Sequence, residues 1–154
     1  MRGFLNDCRQ IEVIASRIYR ELAARTDFPE ADRRAFSRLA DDEEDHALMF
    51  ETLLDLPEGR VADLRRLSGD KVWEELTAAR HIYRRMLELR PGLRQALKLA
   101  LELERRFIKV HADNSLVFED PRIPGLLSRL ARADEEHLAT LRARIEAWNR
   151  RVKH

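Results

Sequence analysis

The chain has 154 residues, long enough for one domain with a buried core. Apolar residues make up 44% and charged residues 37%, with 29 Lys and Arg against 28 Asp and Glu for a formal charge of +1. That balance excludes a disordered chain and leaves no field to gather nucleic acid or anionic lipid. Aromatics are 6%, and Gly and Pro number five each, too few for the turns and strands of a sheet protein.

Residues 4–26 set Leu5, Cys8, Ile11, Ala15, Ile18, Tyr19 and Leu22 three and four apart, the stripe of a first amphipathic helix. Residues 30–56 continue the pattern with Phe36, Leu39, Ala47, Phe50 and Leu54. Asp27 is expected as the N-cap of this second helix, with Pro29 near its first turn and Pro57 at its end. The connection that follows is too long for a turn, and Val72, Leu76, Ala79, Tyr83 and Met86 predict a crossover helix over about 70–90. After Pro91 and Gly92, residues 93–118 carry Leu93, Leu97, Ala100, Leu101, Phe107 and Ile108. Residues 125–151, entered through Pro124, carry Leu127, Leu130, Leu138, Leu141 and Ile145. The expected fold is an all-α four-helix bundle, one domain over 1–154, built of two helical hairpins joined by a long, partly helical crossover.

The single cysteine, Cys8, leaves no internal disulfide, no four-cysteine metal site and no CxxC pair. The N-terminus turns polar by Asn6 and Asp7, unlike a signal peptide, and no apolar run reaches the roughly 18 residues of a membrane span. A cytoplasmic protein without a membrane or nucleic-acid partner is expected.

Polar residues that fall on apolar stripes are the informative ones, because a buried charge is costly unless paired or bound to metal. Glu12 sits between Cys8 and Ala15, and Glu104 between Ala100 and Phe107. The second helix offers Glu43 and His46, and the last helix Asp134 and His137, each pair three apart on one face. Glu104 follows Glu12 by 92 residues, while Asp134 and His137 follow Glu43 and His46 by 91. Leu39-Ala40 precedes His46 by the interval at which Leu130-Ala131 precedes His137, and His111 stands where Tyr19 does. The chain therefore reads as a duplicated hairpin. Packed about a pseudo-twofold axis, its halves would bring four carboxylates and two imidazoles together, the donors of a dinuclear site for Fe or Mn. Each histidine should donate its other N–H to an acceptor, for which Asp42 is a candidate; Ala133 is its counterpart.

One Glu on each of two helices and an acid-x-x-His on each of the others resembles the ferritin-like di-iron carboxylate proteins. Glu12-x-x-Ala15-x-x-x-Tyr19 followed by Leu39-Ala40-Asp41-Asp42-Glu43-Glu44-Asp45-His46-Ala47 is most similar to the rubrerythrin di-iron domain. The resemblance implies Glu12, Glu43, His46, Glu104, Asp134 and His137 as ligands of two iron ions, with Mn or mixed Mn and Fe as the other occupants. It implies Tyr19 as a phenol beside the site, and an oxidoreductase of ferroxidase or peroxidase type that oxidises Fe(II) and reduces O2 or peroxide. A homodimer is expected on the same ground. In this chain Asp134 stands where the family has Glu, and Phe107 where peroxide-reducing rubrerythrins carry an extra Glu. No rubredoxin module is present, so electrons would come from another protein or from the iron itself. His111 replaces a tyrosine and is open between a structural residue, a seventh ligand and a proton carrier.

The same residues allow plainer readings. Five histidines among 28 acids predict about one acid-x-x-His pair by chance. The acids and imidazoles could pair with one another in a metal-free bundle that binds a partner, or bind and sequester iron without turnover. Tyr19 and Cys8 read equally as core residues, and Trp73, Tyr83 and Met86 as packing. Arg65-Arg66, Arg84-Arg85, Arg105-Arg106 and Arg150-Arg151 read as solvated faces.

Overall fold

Apolar residues three and four apart give each helix one face to bury, and the computed structural model, which describes residues 2–56, 69–114 and 122–154, packs five such faces together. The helices are α1 (Arg2–Ala23), α2 (Glu30–Leu54), α3 (Gly69–Leu89), α4 (Leu93–Asn114) and α5 (Arg122–Val152). No strand occurs among the described residues. Long helix pairs α1/α2 and α4/α5 form the two hairpins, while the crossover helix α3 lies against α1 and, over a shorter length, against α4. Contact between α2 and α5 is sparse. The resulting groove of about 600 Å³ is lined by Arg34, Arg38, Asp42, His137, Thr140 and Arg144 among others.

The core follows the stripes. Tyr19, Phe36, Phe50 and Phe107 are fully buried among Leu5, Ile11, Ile18, Leu76, Leu97 and Leu127. Each such aromatic or aliphatic side chain adds roughly 1.5–3 kcal/mol relative to exposure. No helix among the described residues is long and apolar enough to cross a membrane.

Helix ends differ from expectation by a few residues. The first helix stops at Ala23, where Ala24 N–H and Arg25 N–H bond to the carbonyls of Arg20 and Leu22 at 3.1 and 3.2 Å. Asp27 does not cap α2: Pro29 holds that position without a side-chain bond, and Asp27 instead accepts from Arg25 at 2.7 and 2.6 Å. Arg25 also donates to the Pro91 carbonyl at 3.1 Å, joining the α1–α2 and α3–α4 turns. The α3–α4 turn requires a left-handed residue, Arg90 with φ 41°, whose N–H bonds to the Met86 carbonyl at 3.1 Å before Pro91 forbids continuation. Pro57, Gly59, Arg65-Arg66 and positions 115–118 of the expected third long helix lie outside the described residues.

Three packing expectations are corrected. Trp73 is 57% exposed, because it lies one position beyond Val72 and turns off the buried face of α3. Arg106 is half-buried and donates to Glu75 of α3 at 3.2 Å, so it is no purely solvated residue. Arg151, with Arg144, reaches across from α5 to Asp32 of α2 at 3.0 and 2.7 Å. Asp32 is wholly buried; it is a further charged residue on an apolar stripe, beyond those the sequence singled out, and it fastens the start of α2 to the end of α5.

Candidate metal centre

Glu12 on α1, Glu43 and His46 on α2, Glu104 on α4, and Asp134 and His137 on α5 all meet in the middle of the bundle. The four carboxylates are 0% exposed. Two donor sets result, Glu12 with Glu43 and His46, and Glu43 with Glu104, Asp134 and His137, each holding its ligand atoms within 4.8 Å of one another. Glu43 belongs to both. Its Oε2 lies 3.0 Å from His46 Nδ1 and its Oε1 lies 3.3 Å from His137 Nδ1, so one carboxylate faces an imidazole on either side. The two rings lie nearly parallel with centroids 5.8 Å apart.

Three side chains hold these residues in place, and each reaches from one hairpin to the other. Tyr19 of α1 donates its hydroxyl to Glu104 Oε1 of α4. Asp42 of α2, at the groove, bonds His137 Nε2 of α5 at 3.1 Å, leaving His137 Nδ1 turned inward towards Glu43 and Glu104. His111 of α4 lies with Nε2 2.9 Å from Glu12 Oε1, while its Nδ1 bonds Asp134 Oδ2 of its own hairpin at 2.5 Å. Tyr19 and His111 therefore occupy matching places in the two halves. Asp42 has no counterpart, since Ala133 stands at the equivalent position.

The charges hold one another. Burial opposes a charge on His46 and on His137, yet their carboxylate neighbours outweigh it: Glu12 and Glu43 push His46 up to about 10, and Glu104 and Glu43 push His137 up to about 12. Burial disfavours the charged His111 as well, but Asp134 and Glu12 prevail and raise it well above the usual histidine value. Glu104, desolvated and beside the Glu43 charge, rises to about 8. Burial would raise Glu12 too, but His111 dominates and lowers it to about 2. Tyr19 is raised by burial and by Glu104.

Folded proteins leave very few buried polar atoms without a partner. Among the described residues seven such side-chain atoms occur, and six belong to this centre: Glu12 Oε1 and Oε2, Glu43 Oε1, Glu104 Oε2, Asp134 Oδ1 and His137 Nδ1. All six are oxygen or nitrogen atoms of the kind that ligate metals, and they belong to residues of the two donor sets. Two divalent cations would balance four carboxylates and satisfy these atoms together, and the donor types suit Fe or Mn. The residues present fit a dinuclear metal group.

The six residues anticipated as ligands, with Tyr19 and His111, are brought together. Two relations were not anticipated: the double engagement of His111 with Glu12 and Asp134, and the reach of Asp42 to the histidine of the opposite half. Only the equal spacing of Tyr19 and His111 from the lone glutamates hinted at the first. Nothing local to Asp42 indicated which histidine it would serve.

A family model described as Rubrerythrin matches residues 4–145. No curated protein and no solved structure matches the chain. With the family pattern extending over nearly its whole length and its conspicuous carboxylates and histidines gathered at one buried centre, the chain belongs to the rubrerythrin family.

Proposed function

We propose that this chain is a cytoplasmic non-haem di-iron oxidoreductase that oxidises Fe(II) and reduces O2 or peroxide. The observation that carries the reading is the set of six partnerless donor atoms on five converging residues. When bound, two iron ions would supply the electrons that reduce the oxidant.

The side chains divide the remaining work. Glu43, facing a histidine on either side and shared by both donor sets, would help hold both ions. Asp42 fixes the His137 ring with Nδ1 inward, the carboxylate–histidine arrangement that orients a metal ligand. Tyr19 occupies Glu104 Oε1 and so leaves Oε2 for an ion, while its own proton is held at that oxygen. The groove between α2 and α5, with His137 and Asp42 in its lining, gives a small oxidant or an incoming ion a route to the centre. A second protein would deliver electrons for repeated turnover. A homodimer is part of this reading through the family alone.

A second reading, iron binding without turnover, is favoured by one residue. Phe107, one turn beyond Glu104, is fully buried and supplies no extra carboxylate. Elemental analysis of untagged protein, followed by Fe(II) and then peroxide addition, tests both. About two Fe per chain and continued oxidation of excess Fe(II) are expected, with both lost when Glu43 and Glu104 are replaced by Ala. Oxidation that stops at the bound iron supports the second reading. No bound metal overturns both.

A further inference from the structure

The side-chain charges total only +1, yet they are unevenly placed. The α1–α2 turn, the α3–α4 turn and the end of α5 meet at one end of the bundle, joined by Arg25 on the Pro91 carbonyl, Arg144 and Arg151 on Asp32, and Arg94 over the Trp148 ring. Residues 20–34, 84–95 and 144–154, which build this end, hold twelve Arg and Lys, eleven of them Arg, against six Asp and Glu. The end thus carries +6 and the rest of the chain −5, four of those negative charges being the buried carboxylates of the centre. Helix dipoles account for only part of this. Arg20, Arg150 and Arg151 stand in the last turns of α1 and α5, where a cation is favoured, but Arg33 and Arg94 stand in the first turns of α2 and α4, where it is opposed. Arg33 Nε has no partner, and Arg84, Arg85, Arg90 and Lys153 form no ion pair among the described residues. Apolar surface gathers at the same end. Of five large apolar side chains exposed among the described residues, three lie here: Leu87, Leu89 and Val152, at 47, 63 and 63%. Leu87 also borders a cavity of about 310 Å³ between α1 and α3, walled by Ile18, Leu22, Tyr83 and Met86, with Arg25 and Arg90 in its lining.

We propose that this end of the bundle seats on a membrane surface rich in anionic phospholipid, with its guanidinium groups on the lipid phosphates and Leu87, Leu89 and Val152 inserted at the headgroup boundary. The inference is independent of whether the buried centre holds metal. Cations beside exposed aliphatic side chains suit a protein that lies on a bilayer: the negative cytoplasmic leaflet attracts the charges, and the apolar groups leave water. Arginine fits phosphate because its planar fork makes paired hydrogen bonds. The balanced total hides this surface, since attraction to a membrane depends on the charges within a Debye length of it. A second copy meeting the surface end to end would bring like charge against like. An acidic protein would answer the charge, but protein contacts are anchored by Trp and Tyr, whereas the exposed apolar side chains here are aliphatic. The exposed Trp73 lies near the opposite end of α3. No helix among the described residues crosses a membrane, so the attachment is peripheral.

The test pellets the full chain with sucrose-loaded vesicles of equal parts phosphatidylcholine and phosphatidylglycerol at low salt. Binding is expected, at least about tenfold weaker to phosphatidylcholine alone and at high salt. Arg84→Glu with Arg85→Glu should weaken it at least about tenfold. Lys71→Glu with Lys109→Glu makes the same charge change on exposed residues far from this end and should leave binding within about twofold of wild type. Leu89→Ser, which keeps every charge, should weaken it about fivefold. Helical circular dichroism identifies a variant that fails to fold, and the wild-type comparison of the two vesicle compositions decides without any variant. Equal losses in the two double variants, or unchanged binding of Leu89→Ser, overturn the proposal in favour of unspecific adsorption. Wild type that does not pellet with the anionic vesicles overturns it outright, and retention on a polyglutamate matrix in that case assigns the end to an acidic protein.

Discussion

Asp32 is the point at which the bundle should be most sensitive away from its centre. Its carboxylate is 0% exposed and accepts from Arg144 Nε at 2.7 Å and Arg151 Nη2 at 3.0 Å. Hydrogen bonds to charged groups are each worth about 1.5–3 kcal/mol. The Arg144 side chain is 24% exposed and keeps most of that value, whereas Arg151, at 43%, can return to water, which reduces its share to about 0.5 kcal/mol. An acid in the first turn of α2 adds about 0.3–1 kcal/mol through the helix dipole. Asp32→Ala should therefore cost about 3 kcal/mol, or roughly 6–12 °C in melting temperature for a chain of this size. Asp32→Asn keeps an acceptor and should cost about half as much, and Arg151→Ala about 0.5 kcal/mol. Urea titrations of the four proteins with metal chelated give the order directly. An Asp32→Ala midpoint within about 0.5 kcal/mol of wild type would refute the reasoning, because a buried acceptor for two guanidinium groups cannot be removed so cheaply.

Tyr19→Phe removes the donor to Glu104 Oε1 and should destabilise the metal-free protein by about 1–3 kcal/mol in urea; an unchanged midpoint would show that Glu104 is satisfied otherwise. Metal-free stability should fall as pH rises from neutral. His46 and His137 are held at about 10 and about 12, so their contribution is whole below the ordinary histidine value and is lost as pH climbs through theirs. Glu104, held at about 8, acts in the same direction, its contribution being present below the ordinary carboxylate range and lost through that value. Glu12, lowered to about 2, acts oppositely, losing its contribution only as pH falls through that range. Urea midpoints of chelator-treated protein that rise from neutral to alkaline pH would contradict this balance. Arg90→Gly relieves a left-handed residue and should raise stability by about 0.5 kcal/mol in the same assay, a gain that a strained non-glycine position predicts and a relaxed one does not.

Much of the molecule was legible because its signals are local and repeated. Stripes three and four apart placed five helices, and acids and histidines on those stripes, restated at constant spacing, singled out the residues that the bundle gathers. What escaped depends on partners far along the chain. Asp32 carries the phase of Ala35, Phe36 and Leu39, but its arginines lie 112 and 119 residues away, so nothing nearby separates it from a solvated acid. Trp73 was read with Tyr83 and Met86 as a packing residue of the crossover, although Val72 and Leu76 already assigned the buried face of α3 to other positions. Asp27 has the chemistry of a cap, but Arg25, two residues away, engages its carboxylate while Pro29 occupies the cap position.

The crossing of Tyr19, His111 and Asp42 between hairpins bears on how such a protein can change over time. Two identical hairpins associating as separate chains would be bound to symmetry: a tyrosine altered in one would be altered in both, and each donor pair would shift together. Joining them in one chain removes that constraint. Position 111 can then carry histidine while position 19 keeps tyrosine, and an aspartate can guard one histidine with an alanine opposite. A single replacement then alters one half of the buried centre without forcing the same change on the other.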